Sequence, residues 1–138
     1  MSRRFVLPPM IRQRIIDHAL AERPLECVGL LAGKGDVAER IYPLANEAKS
    51  STRFFAAEGL FVPMREMRNA SLDLVAIYHS HPNSPPRPSR RDMDENQYPD
   101  AIHVIVSLVD DQPTMKAWLL ASDDAEEVDI VDSAAFIA

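Results

Sequence analysis

An α/β fold, with one mixed and largely antiparallel sheet flanked by helices, is what the 138-residue sequence predicts. Three observations lead there. Apolar residues recur at helical spacing near the N-terminus; a nearly unbroken apolar segment lies mid-chain; and the apolar runs after it are joined by hairpin-length connections, which favour antiparallel neighbours.

The first element is "MIRQRIIDHALAERP", where Ile11, Ile15, Ile16, Ala19 and Leu20 mark one helical face, with Pro8 and Pro9 leading in and Pro24 closing it. "ECVGLLAGKGD", "ERIYPLANEA" and "TRFFAAE" read as three strands of an antiparallel meander, the first ended by a Gly-Lys-Gly-Asp turn. A second helix is expected over Leu60–Ala70, with Met64 and Met67 inward and Pro63 in its first turn. "LDLVAIYHSH" has the composition of a strand covered on both faces, so it belongs at the centre of the sheet. A short "SRRDMDEN" helix comes after a proline-rich tract. "AIHVIVSLVD", "TMKAWLLA" and "EEVDIVD" complete the sheet, divided by "DDQPT" and "SDDAE" turns. No repeat or linker divides the chain, so residues 1–138 are expected to form one domain.

Composition removes several classes of function. A formal charge of -6 gives no basic field for nucleic acid. The single cysteine, Cys27, excludes an internal disulfide and a zinc site of paired cysteines. Neither a secretory signal nor a membrane span is present in the sequence, so a cytoplasmic protein with no membrane partner is expected. A homo-oligomer is left open.

Chemistry gathers in "IYHSHPNSPPRPSRRDMDE". His79 and His81 are two apart, which on a helix would point them about 200° from each other but on a strand puts both on one face, about 6.7 Å apart along the chain. At a strand end their rings can lean together on one metal ion. The four prolines from Pro82 to Pro88 make a stiff spacer, holding the next segment at a fixed distance. Then come Ser89 and Asp92, an S-x-x-D pattern that reads as a helix capping box and would aim the Asp92 carboxylate as a third ligand. Asp94 and Glu95 compete for that role on spacing alone. Hydrolysis of an amide would also need a proton carrier, for which Glu26, opening an apolar run, is the candidate.

Glu26 and then H-S-H-P, six residues from Asn83 to Pro88, S, two residues and D resembles the pattern of the JAMM/MPN-plus zinc metallopeptidases. "PLECVGLLAG" and "LDLVAIYHSHP" resemble the flanking strands of the small prokaryotic branch. The resemblance implies an MPN fold with layering like that of cytidine deaminases, and Zn2+ held by His79, His81 and Asp92. It implies that Glu26 activates water and shuttles its proton, with Ser89 donating to the oxyanion. It further implies cleavage of a peptide or isopeptide bond at the C-terminal end of a ubiquitin-like protein. For the bacterial branch that partner is a sulfur carrier, from which cysteine or a short extension is released; an extended tail would pair with a strand beside the cleft.

Other readings are weaker. A zinc deaminase needs H-x-E and P-C-x-x-C, neither of which occurs. A non-catalytic interaction module of the same fold would not need the intact ligand set. Strand alternation sends Cys27 away from Glu26 as a core residue, while His18 and His103 lack ligand spacing. Arg87, Arg90 and Arg91 read as a solvated loop.

Overall fold

The structure, a computed structural model, describes residues 3–46, 60–96, 98, 100–121 and 124–133. Its elements run β1 (Arg4–Val6), α1 (Pro9–Glu22), β2 (Val28–Lys34), β3 (Val37–Leu44), α2 (Phe61–Asn69), β4 (Asp73–His81), α3 (Arg90–Asp94), β5 (Ile102–Ser107), β6 (Thr114–Leu120) and β7 (Ala125–Val131). The expected "TRFFAAE" strand lies outside the described residues.

The strands join in the order β1-β3-β2-β4-β5-β6-β7, and the sheet closes on itself as β1 pairs parallel with β7. Pairing is mixed, as expected. β2–β3, β2–β4, β5–β6 and β6–β7 are antiparallel, whereas β4 and β5 are parallel. A parallel pair needs a crossover. Here the proline tract and α3 make it, and that places both beyond the C-terminal end of β4, where a crevice opens in sheets of this kind.

Alternation sorts side chains onto two sides of the sheet. Leu31, Ala76, Tyr78, Val104 and Val106 pack with Ile11, Ile15 and Ala19 of α1 on one side. Val28, Leu30 and Ile77 pack with Met67 of α2 on the other. Tyr78 is fully buried, its ring lying where a Cβ at Gly29 would stand, so residue 29 must be glycine for β2 and β4 to pair. The Tyr78 hydroxyl meets His18 Nδ1 at 2.7 Å, which gives that histidine a packing role on α1.

β1 had no sequence signal. Three residues carry no periodicity, and their partners lie on β7, more than a hundred positions away: Arg4 opposite Asp129, Phe5 opposite Ile130, Val6 opposite Val131. Burial of Phe5 and Leu7 in the α1-side core holds the segment in place. No helix among the described residues is long and apolar enough to cross a membrane.

Candidate metal centre

His79 and His81 end β4 on the side away from α1, the side that Ile77 shares. Both are buried, at 1% and 4% exposure. His79 Nε2 and His81 Nε2 lie 3.1 Å apart, and Asp92 Oδ2 lies 3.2 Å from the first and 3.0 Å from the second. Tetrahedral zinc with ligands at 2.0 to 2.1 Å separates its donor atoms by about 3.3 Å. The donor set therefore fits a divalent ion with a fourth position left open, and it is the only such group among the described residues.

His81 and Asp92 are each oriented by a second bond. His81 Nδ1 sits 2.8 Å from the Pro85 carbonyl, so the proton belongs on Nδ1 and leaves the Nε2 lone pair for a metal. Ser89 and Asp92 form the expected capping box: Asp92 N–H donates to Ser89 Oγ at 3.1 Å and Ser89 N–H donates to Asp92 Oδ2 at 2.9 Å. The cap uses a lone pair of the Ser89 hydroxyl and leaves its proton free to donate elsewhere. The cap therefore does not occupy the proton that the expected oxyanion role would use. Of the rival carboxylates, Asp94 turns outward to Arg90 at 3.2 Å and Glu95 is exposed.

Glu26 lies two residues before β2 rather than within it, yet strand parity still holds. Ser80 N–H donates to the Cys27 carbonyl at 3.1 Å, and Val28 pairs with His79, so Glu26 shares the histidine side while Cys27 enters the α1-side core. Glu26 is 2% exposed, and its Oε1 has no hydrogen-bond partner among the described residues. Burial pushes its carboxyl up to about 8; the charge on His81 pulls it down, Asp92 adds to the rise, and Arg91 opposes it. The Asp92 carboxyl behaves in the opposite way. Burial would raise it, but the positive charge on His79, the bonds from both histidines and the Ser89 N–H together hold it well below the usual carboxylate range. Burial alone would lower His81, and Asp92 and the Pro85 carbonyl raise it above its ordinary value.

Several residues around the centre had no signal in the sequence. Asn46 Nδ2 donates to the Glu26 carbonyl at 2.9 Å, and Ser80 Oγ accepts from Cys27 N–H at 2.8 Å, so the backbone carrying Glu26 is held from two sides. Ser107 and Trp118 bind the proline tract. His103, on β5, is buried on the histidine side, and burial first, then the charge on His79, lowers it to about 4, so it is neutral near pH 7. It is not part of the ligand group.

Three donor atoms converging from a strand end and a capped helix, with a buried acid on the same side, are what a metal-dependent hydrolase requires. The chain belongs to the prokaryotic homologues of the JAB domain, whose family model matches residues 8–121. It is 41% identical over 83 residues, 59% of its length, to a probable TtuB-protein conjugate cleaving protease of Thermus thermophilus; the match spans 55% of that relative. It is 39% identical over 100 residues to the CysO-cysteine peptidase of Mycobacterium tuberculosis, covering 70% of this chain and 68% of the relative. The solution structure of protein DSY2949 from Desulfitobacterium hafniense superposes with a TM-score of 0.84 at 30% identity, covering 92% of this chain and 91% of that one.

Proposed function

We infer that the chain hydrolyses a peptide or isopeptide bond at the C-terminal end of a ubiquitin-like sulfur-carrier protein, with zinc as its metal. One observation carries this reading: a buried Glu26 with an unpartnered oxygen stands on the same side of the sheet as the His79, His81 and Asp92 donors. Relatives named for TtuB-protein conjugates and for CysO-cysteine supply the substrate class.

Zinc bound by His79, His81 and Asp92 would supply Lewis acidity, acidifying water and polarising the scissile carbonyl. Beside a bound cation the Glu26 carboxyl would ionise despite its burial, and as the carboxylate it takes the proton from the attacking water and delivers it to the leaving nitrogen. The water oxygen adds to the carbonyl carbon to give a tetrahedral oxyanion, and the C–N bond then breaks as Glu26 protonates the nitrogen. The Ser89 hydroxyl donates a hydrogen bond to that oxyanion. β3 presents a place for the carrier's tail: it meets β1 only at Val37, so among the described residues the outer edge of Ala38–Leu44 is unpaired, ending beside the Glu26 segment.

The test offers a ubiquitin-like sulfur carrier bearing a C-terminal cysteine or peptide and reads the product mass. Release of the extension, stopped by chelation and restored by zinc, is expected. Full zinc loading with no cleavage at any extension would favour the non-catalytic zinc-binding module instead. Within this reading, Ser89→Gly should lower kcat by about 10²-fold or more. The melting temperature should barely move, because glycine at an N-cap costs only a few tenths of a kcal/mol. An unchanged kcat would remove Ser89 from the oxyanion role.

A further inference from the structure

The tract between β4 and α3 is poor in donors, because Pro82, Pro85, Pro86 and Pro88 have no N–H. It cannot hold its own shape by backbone bonding alone. The backbone supplies one contact, Arg87 N–H to Pro85 O at 2.8 Å, and three consecutive carbonyls are met by side chains from three adjacent strands. Ser107 Oγ of β5 donates to Ser84 O at 2.6 Å, His81 Nδ1 of β4 to Pro85 O at 2.8 Å, and Trp118 Nε1 of β6 to Pro86 O at 3.0 Å. Ser107 is fully buried and also accepts from Val109 N–H at 3.2 Å, so its hydroxyl direction is fixed.

We propose that Ser107 and Trp118 are positioning residues for the metal centre. They hold the carbonyls on either side of Pro85 and so fix the acceptor that keeps the His81 proton on Nδ1. A neutral imidazole carries one ring proton. If Pro85 O drifts from 2.8 Å, the tautomer with the proton on Nε2 becomes accessible, and that tautomer has no lone pair on the nitrogen that faces His79 and Asp92. The same two bonds set where the tract delivers Ser89 and Asp92 against the histidines. The inference rests on the reading of His79, His81 and Asp92 as the metal ligands.

Two variants remove the bonds, the second with almost no change of shape. Trp118→Phe keeps an aromatic ring and loses the N–H, and Ser107→Ala loses only the hydroxyl. Each should weaken zinc affinity by about 10-fold in competition with a chelator, the lower end of what loss of an outer partner costs. At saturating zinc, kcat should fall with KM kept. In the metal-free protein, at a pH where the ring is neutral, the nitrogen chemical shifts of His81 should move from the Nδ1–H tautomer to a mixture. Variants that melt at lower temperature yet keep both zinc affinity and the His81 tautomer would overturn the proposal, leaving the two residues as anchors of a loop. Weakened zinc affinity in the variants, with no hydrolysis of any conjugate by the unaltered chain, would refute the peptidase reading and support the positioning role.

Discussion

Glu26→Gln is expected to lower kcat by about 10²- to 10⁴-fold, the range that general acid–base catalysis supplies, with zinc affinity nearly unchanged. Glutamine matches the neutral carboxyl in size and cannot carry the proton from water to the leaving nitrogen. The substitution also has a signature in the metal-free chain. The Glu26 carboxyl is raised from 4.5 to about 8, by burial first, so the folded state holds its proton more tightly than the unfolded one. The resulting stability is fully present below pH 4.5 and is lost as pH rises through about 8. Glutamine has no such proton to lose. Denaturant melts of the metal-free proteins should therefore diverge in favour of the variant across that window and run parallel above it. A divergence with no loss of turnover would leave Glu26 as a buried acid and nothing more.

The residues that sequence could place are those whose signals are local. The α1 face is written in Ile11, Ile15 and Ala19, the central strand in an apolar run, and the start of α3 in Ser89 and Asp92, three positions apart. The same locality aimed the Asp92 carboxylate, because a capping box fixes a side chain from within one turn. Glu26 was harder. Its place depends on β2 pairing with β4, a contact across about fifty residues, and parity survived even though the strand begins two residues later. Contacts that bridge separate elements left no trace. Asn46, Ser107 and Trp118 read as ordinary loop and strand residues until the fold brings them to the Glu26 carbonyl and the proline tract. β1 is the extreme case, since apart from one position on β3 its partners come only from closure of the sheet onto β7.

Asp92→Asn is expected to cost more than about 10²-fold in zinc affinity, beyond the 10- to 100-fold typical of an outer partner. Asparagine keeps the shape and can still accept from Ser89 N–H, so the helix start survives; what it lacks is the one negative charge in the donor set. The metal-free chain reports the same charge independently. Burial works against ionisation of Asp92, and His79, His81 and the Ser89 N–H more than reverse it, so its stabilisation is present above 3.8 and lost as pH falls. His81 is raised above 6.5 against its own burial, mainly by Asp92, so its stabilisation is present below 6.5 and lost as pH rises through its folded value. Both are fully present together only between 3.8 and 6.5, where the metal-free variant should be least stable relative to the parent. The gap should close on either side, and His81 should titrate at lower pH in the variant. If zinc affinity drops only as far as an outer partner predicts while the stability gap appears, Asp92 orients the histidines and another oxygen completes the centre. Asp94 is poorly placed to be that oxygen, being 55% exposed and turned to Arg90, so the affinity measurement discriminates between a ligand and a brace at one position.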